Sequence, residues 1–342
     1  MSTTQKVIQP LYDALIANDT VSSFQLRETS NTSLSGGFLN EKLGGIYRPI
    51  QSEVSSRIGY KVEFNDGQSS NGGLSADTHI DEILSYIQLG KHQAAEPIVL
   101  ASTPKVTPKV ETFDTALAQT ITNHPEHISE AVLALQKNHN YQEIDNVEGE
   151  ISTQISNQRI INSSGYDTQT AGTRYSSYIS LNDRIGFAHN SRSLQDPRVM
   201  QDYSNHYIEM SLKLEGKQAK LPSGNYPVMF SAGTGWQILG TFVLSNLRGS
   251  AVDAGQSNLT LKDFSDKKKI AHDNFTLRYN QLEDMHTRSF NYDGEGIPGQ
   301  QFTLIENGSI CEPICNLKMA KKLGYQPRSL GDTKTQRVDS TP

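Results

Sequence analysis

The sequence predicts an α+β protein, with two small α/β lobes in the N-terminal region and a strand-rich C-terminal domain. The chain has 342 residues, which is enough for two or three domains that each bury their own core. Hydrophobic residues make up 35% and charged residues 20%, so uncharged polar residues and glycine are abundant, as is typical of strands and turns. A meander followed by a helix, and then helices followed by a meander, are predicted before the C-terminal domain.

The first predicted lobe comprises residues 1–105. Apolar residues at helical spacing predict an amphipathic helix over 7–16. Short alternating runs over 23–67, broken by glycine pairs and an Asp-Gly turn, predict an antiparallel meander. A second helix is predicted over 78–90, because isoleucine and leucine recur there every three or four residues between an N-cap threonine and a final glycine.

The second predicted lobe comprises residues 106–218. Three prolines within 91–112 favour an extended connection that leads into it. Helical periodicity returns at 113–121 and at 128–135. The stretch 143–181 then predicts three or four strands from its spaced isoleucines and an Asn-Ser-Ser-Gly turn.

The predicted C-terminal domain covers residues 219–325. A turn that leads into a short buried strand is predicted over 221–230, and a helix over 236–247. The Asn-Gly pair within 306–308 predicts a hairpin. Residues 326–342 form a polar tail without periodicity, which we expect to be disordered.

Charge and composition exclude several classes of protein. The net charge is -6 and the largest basic cluster is the lysine run 267–269, so we expect no nucleic-acid partner. Residues 1–19 lack the pattern of a signal peptide, and no run of about 18 apolar residues occurs, so we expect a cytoplasmic protein without membrane contact. Two cysteines, Cys311 and Cys315, are too few for a disulfide framework and are expected to be reduced.

The most recognisable segment is 289–308, SFNYDGEGIPGQQFTLIENG, where an acidic, glycine-rich turn precedes a strand and a hairpin. It resembles the Asp-x-Glu-Gly block of the TldD/PmbA (TldE) family, once called modulators of DNA gyrase and better described as subunits of a peptide-processing zinc metalloprotease. The segments 158–165, 226–230 and 249–259 are also similar to family segments. The family normally extends further beyond this region, so the chain resembles a member with a shortened C-terminus.

The zinc-binding members of this family carry a helix with two histidines and a glutamate. The corresponding stretch here, 233–249, contains no histidine and no carboxylate, which favours the non-zinc TldE/PmbA branch. The resemblance then implies a subunit without a cofactor that binds or encloses unfolded peptide for proteolysis or peptide maturation. It also implies a zinc-bearing TldD-like partner or a homo-oligomer, and it leaves open whether the chain is itself an enzyme, although a non-catalytic subunit is expected.

An alternative function is a stand-alone enzyme or binding protein in natural-product peptide maturation, built on the same scaffold. Its candidate metal ligands are His272, Glu283 and His286, which lie close together in the sequence. Two points oppose a metal site in this stretch. Neighbouring residues on a strand point to opposite faces, so they do not converge on one ion, and acidic residues at hairpin ends are often simply exposed to solvent.

Three residues are candidates for contact with a peptide: Trp236, Asp293 and Glu295. Trp236 could anchor a side chain, although apolar helix stripes more often belong to the core. Paired carboxylates can act as general acid and base. In an Asp-Gly-Glu-Gly turn, however, carboxylates commonly accept backbone N–H groups, and we favour this structural role.

Overall fold

The structure is a computed structural model that describes residues 7–41, 44–93, 97–104, 107–137, 144–182, 185–214, 220–230, 234–235 and 238–331. Most of the predicted polar tail, 332–342, lies outside these ranges. Within them, no helix combines the length and the apolar character needed to cross a bilayer.

A seven-stranded antiparallel sheet forms the centre of the fold. Its strands follow each other in space in the order β4-β3-β2-β1-β5-β6-β7. They are β1 (Val21–Glu41), β2 (Gly44–Phe64), β3 (Gln68–Ser75), β4 (His92–Gln93), β5 (Asn146–Asn162), β6 (Asp167–Leu181) and β7 (Ile185–Ser191). Turns between neighbouring strands contain Gly67 at φ 78° and Gly165 at φ 83°, a backbone region that glycine adopts without a side-chain clash.

Five helices accompany this sheet: α1 (Ile8–Ile16), α2 (Ile80–Leu89), α3 (Thr115–Asn123), α4 (Glu126–Gln136) and α5 (Pro197–Leu214). The predictions for 7–16, 78–90, 113–121 and 128–135 are therefore confirmed in type and position. The N-cap of α2 is His79 rather than the threonine before it, and its Nδ1 accepts a hydrogen bond from the backbone N–H of Asp81.

The helices bury one face of the sheet in two separate cores. In the first core, α1 and α2 pack on Phe24 and Leu26 of β1. In the second core, α3, α4 and α5 pack on Leu34 and Phe38 of the same strand. The four β1 residues are separated from each other by even numbers of positions, so their side chains point to the same side of the strand. Both cores therefore lie on the same face of the sheet.

The α+β class is confirmed by this arrangement. The two predicted lobes correspond to the two cores, and the structure adds that they share one sheet, because β1 and β5 contribute to both. The domain boundaries at 105 and 218 stay a prediction. The stretch 143–181 holds two long strands, β5 and β6, so the prediction of three or four strands is wrong: its polar residues continue the strands instead of ending them.

The C-terminal region is less regular than the sheet. It contains a π-helical segment (Leu239–Leu244), α6 (Gly249–Asp253), α7 (Leu261–Ser265) and α8 (Leu317–Leu323). It also contains a three-stranded sheet of β8 (Leu277–Asn280), β9 (Gln301–Glu306) and β10 (Ser309–Ile310). The predicted hairpin is confirmed, because Asn307 and Gly308 both have positive φ, 48° and 77°, between β9 and β10.

One prediction for this region is corrected. The segment 220–230 is irregular and exposed rather than a buried strand, with 97% of Met229 and 66% of Val228 accessible to solvent. Apolar sequence alone could not distinguish a core strand from an apolar segment that no described residue covers. The helix predicted over 236–247 is confirmed over 238–246, with π-helical geometry over 239–244, and 236–237 lie outside the described residues.

The start of the predicted polar tail is packed. The backbone N–H of Arg328 donates to the carbonyl of Cys315 at 2.7 Å, and Leu330 packs on the C-terminal core. Both cysteines are free, as expected, and burial raises the pKa of Cys315 to about 11. The return of the chain to this core places residues 328–331 beside a cleft between the seven-stranded sheet and the C-terminal region.

Candidate binding cleft

A cleft of about 460 Å³ lies between the seven-stranded sheet and the C-terminal region. Gln25 and Arg27 of β1 line it from the sheet, and the alternation of the strand directs them away from the face that the helices cover. Lys61 of β2 lies beside them, because it is the register partner of Gln25. The loop 293–297 forms the opposite wall.

The loop 293–297 is organised by Asp293. Its Oδ1 accepts hydrogen bonds from the backbone N–H groups of Glu295 at 2.9 Å and Ile297 at 2.8 Å. Its backbone N–H donates to the carbonyl of Ile297 at 3.0 Å. The structural role expected for this turn is therefore confirmed.

Three side chains of the sheet region attach this loop to the N-terminal half of the chain. Tyr166 donates its hydroxyl hydrogen to the carbonyl of Gly296 at 3.0 Å. Gln158 donates to the carbonyl of Asp293 at 3.2 Å, and Gln25 donates to the carbonyl of Glu295 at 3.5 Å. The wall of the cleft thus joins the sheet to the C-terminal region.

The two carboxylates of the loop have different environments. Burial raises the pKa of Asp293 above its ordinary value, even though its hydrogen bonds oppose that shift. Glu295 is more accessible: its Oε1 pairs with Lys61 Nζ at 3.2 Å, and its Oε2 accepts the backbone N–H of Leu317 at 3.4 Å. Both predicted residues therefore line the cleft, and direct contact with a peptide stays a prediction.

Four cationic side chains line the same cleft: Arg27, Lys61, Arg248 and Arg328. Lys61 pairs with Glu295, and Arg328 Nη2 pairs with Glu312 Oε2 at 2.7 Å. Among the residues that the structure describes, Arg27 and Arg248 have no ion pair or hydrogen bond from their guanidinium groups.

Arg248 reaches the cleft through a backbone bridge at the start of α6. The N–H of Gly249 donates to the carbonyl of Ile314 at 2.8 Å, and the N–H of Ile314 donates to the carbonyl of Leu247 at 2.8 Å. Arg27 and Arg248 were not expected from the sequence. They are distant in the chain, and only tertiary packing brings them together.

Three of the remaining predicted site residues, His272, Glu283 and His286, do not line the cleft. Trp236 falls outside the described residues. His272 Nδ1 accepts the backbone N–H of Asn274 at 3.1 Å, and His286 Nδ1 accepts that of Arg288 at 3.3 Å, so each ring organises its own turn. Over the described ranges, no three His, Cys, Asp or Glu side chains come together as a potential metal site, and this includes the set of His272, Glu283 and His286.

The zinc of catalytic TldD/PmbA proteins therefore has no fitting ligand set in the described part of this chain. A zinc peptidase needs three protein ligands and a carboxylate near the metal-bound water. The stretch 233–249, which the resemblance aligns with the zinc helix, offers neither histidine nor carboxylate.

Three solved structures share the fold. A protein described as a modulator of DNA gyrase from Bacteroides thetaiotaomicron aligns with TM-score 0.79 and 18% identity over 97% of this chain and 76% of its own. A protein with the same description from Thermotoga maritima gives TM-score 0.75 and 15% identity over 97% and 76%. TldE from Thermococcus kodakarensis gives 0.66 and 16% over 92% and 72%.

The sequence itself provides the family evidence. Residues 223–338 match the PmbA/TldA metallopeptidase C-terminal domain, a range that includes the whole 293–297 loop. No curated protein matches the sequence significantly. The domain match confirms the resemblance of the Asp-Gly-Glu-Gly segment to the TldD/PmbA family, and the solved structures show that the fold is shared along most of the chain.

Proposed function

We propose that this chain is the substrate-holding, metal-free subunit of a peptide-processing assembly, and that a zinc-bearing TldD-like partner supplies the catalytic centre. The match of residues 223–338 to a metallopeptidase domain supports the peptide substrate. The observation that carries the proposal is a cleft next to an accessible strand edge.

The outer edge of β3 is accessible for strand addition. Over the described residues, β3 pairs with β4 only at Gln68 and Ser69, so 70–75 have a strand partner on one side only. Gly72 lies within this edge and also lines the cleft. An unfolded peptide that adds to β3 as an extra strand would gain backbone hydrogen bonds without sequence selection, and it would pass the cleft.

The exposed segment 220–230 supports an assembly with another subunit. Leu221, Val228, Met229 and Phe230 expose 73%, 66%, 97% and 52% of their surface. Contiguous exposed apolar residues are typical of surfaces that a partner covers. We assign this segment to the contact with the zinc-bearing subunit, and a second copy of the chain is the competing outcome.

The test is cleavage of a denatured peptide by three samples: this chain, the zinc-bearing partner, and the two mixed. We expect cleavage from the mixture that a chelator abolishes, much weaker cleavage from the partner alone, and none from this chain alone. Chelator-sensitive cleavage by the isolated chain would overturn the proposal.

A second experiment isolates peptide binding from catalysis. A labelled unfolded peptide is titrated with this chain, and the titration is repeated with a peptide methylated at alternate backbone nitrogens. N-methylation removes donors that β3 would need, so we expect much weaker binding, whereas a scrambled sequence should bind equally well. Equal binding of the methylated peptide would contradict strand addition.

A further inference from the structure

We propose that the cleft recognises a carboxylate of the peptide held on β3, through Arg27 and Arg248. This inference rests on the proposed function and adds the chemical group that the site selects. The inference depends on where the cationic side chains lie around the cleft and on which of them have an ion-pair partner.

Arg27 has no counter-ion among the residues that the structure describes. It extends from β1 across the cleft to the opposite wall, where its Nη1 lies so close to Gly294 that a Cβ at that position would collide with it. Residue 294 must therefore be glycine for the guanidinium to occupy this place. Within the described part of the chain, no carboxylate accepts from Arg27 in return.

The charge of the cleft is unbalanced. The lining residues include four cations, Arg27, Lys61, Arg248 and Arg328, and two carboxylates, Asp293 and Glu295. Asp293 is engaged by backbone N–H groups and Glu295 by Lys61. The field in the cleft therefore attracts an anion, and low-dielectric walls strengthen that attraction.

Two further polar atoms in the cleft walls have no hydrogen-bond partner within the described residues. They are Arg328 Nη1, a donor, and Gln25 Oε1, an acceptor on a side chain that is only 5% exposed. Buried polar atoms are normally paired, so a pair of such atoms in one cleft indicates a missing ligand. A peptide carboxylate with its neighbouring amide offers both an acceptor and a donor.

The geometry favours a carboxylate over other anions that a peptide assembly would meet. Arginine presents planar, parallel donors that match the two oxygens of a carboxylate. Because Gly72 belongs both to the free edge of β3 and to the cleft lining, a peptide that leaves this edge at Gly72 can enter the cleft that Arg27 also lines. The carboxylate can come from the C-terminus of the peptide or from an acidic side chain.

The experiment measures binding of unfolded peptides that carry an uncharged fluorophore, by fluorescence anisotropy with the full chain. One peptide has a free C-terminal acid, the second is its C-terminal amide, and the third is the amide with one internal glutamate. We expect an acidic peptide to bind at least about tenfold more tightly than the neutral amide, the size of one charged hydrogen bond. Whether the first or the third peptide gains affinity identifies the source of the carboxylate.

Substitutions connect this selectivity with the cleft. Arg27→Gln and Arg248→Gln should each lower the ratio of acid affinity to amide affinity from about tenfold to nearly one. Arg27→Lys, which keeps the charge but loses the planar donors, should give an intermediate preference. Arg278→Gln, an exposed arginine of β8 outside the cleft, is the matched control and should change nothing.

Three outcomes decide the inference. Loss of the acid preference in the two glutamine variants, with urea midpoints preserved, supports it. Equal binding of all three peptides overturns it and leaves peptide binding intact. Absence of binding by every peptide refutes the proposed function and the inference together.

Discussion

Gly296 shows how closely the wall of the cleft is packed against the sheet. Its φ is 88°, and a Cβ there would lie 2.8 Å from Ala101 Cβ and 3.1 Å from Tyr166 Cε1. Gly165 has a similar φ of 83° but no atom within 4 Å of a Cβ. A side chain at either position would have an unfavourable backbone conformation, but only a side chain at 296 would also clash with its neighbours. Comparing substitutions at the two positions therefore distinguishes the two energetic costs.

We expect Gly165→Ala to lower the free energy of unfolding by about 1–2 kcal/mol, the cost of the left-handed region for a residue with a side chain. Gly296→Ala should lower it by a further amount of about 1–3 kcal/mol because of overpacking. Urea denaturation of both variants measures the difference. Equal losses would show that the loop can move away from the sheet.

The role of Asp293 can be separated into its hydrogen bonds and its charge. Asp293→Ala leaves two backbone N–H groups without their acceptor, and we expect a loss of about 1–3 kcal/mol in the free energy of unfolding. Asp293→Asn keeps Oδ1 as an acceptor and should lose much less. If the asparagine variant is as unstable as the alanine variant, the carboxylate charge itself holds the loop.

The raised pKa of Asp293 gives this residue a defined pH dependence. The folded state holds the proton of Asp293 more tightly than the unfolded chain, because burial disfavours the charged form. Its contribution to stability therefore falls as pH rises above the ordinary pKa of 3.8 and through the raised native value. Relative to Asp293→Asn, the wild type should lose stability as the pH rises from the ordinary pKa of 3.8 through the raised native pKa. A difference that grows in the opposite direction would contradict the raised pKa.

At the residue scale, the sequence predicted the loop but not the basic side of the cleft. The spacing of glycine and acid in 293–296 is local, so its turn chemistry can be read directly. Arg27 lies in an ordinary alternating strand and Arg248 before a short helix, and nothing near either residue distinguishes it from a solvent-exposed arginine. Their roles depend on contacts across more than two hundred residues of sequence.

At the element scale, strong periodicity was the best guide. Helices α1 and α2 were predicted because their apolar residues recur on one face. The central residues of those faces are buried in the structure: Ile8, Leu11 and Leu15 of α1, and Ile83 and Ile87 of α2. Helix α5 was not predicted, because its residues are polar on average even though the apolar ones recur at helical spacing. Strands β5 and β6 are rich in Ser, Thr, Asn and Gln, residues that are also common in loops. Their strand conformation depends on pairing with neighbouring strands, which the sequence of each strand alone does not reveal.

Substitutions in the segment 220–230 test whether this segment contacts the zinc-bearing partner. We expect Val228→Ser and Met229→Ser to change the free energy of unfolding by less than about 0.5 kcal/mol, because both side chains are exposed. They should weaken association with the zinc-bearing partner by at least about tenfold. Met210→Ser, in a partly exposed position on α5, is the control. Unchanged association, measured by analytical ultracentrifugation, would place the contact elsewhere.

At the scale of the whole molecule, the shared sheet should couple the two N-terminal cores. Leu26 belongs to the first core and Ile151 to the second, and both are fully buried. Replacing either with alanine should lower the free energy of the same unfolding transition by about 2–5 kcal/mol. Two transitions, with each variant shifting a different one, would mean that the lobes fold independently in spite of β1 and β5.

The central claim is that an unfolded peptide lies along β3 and over the cleft. Hydrogen–deuterium exchange of the full chain, with and without a saturating unfolded peptide, measures this most directly. The account predicts slower exchange at 70–75 and at 293–297, and no change at the far end of the sheet in β7. Protection that excludes both segments, with the peptide demonstrably bound, would contradict it.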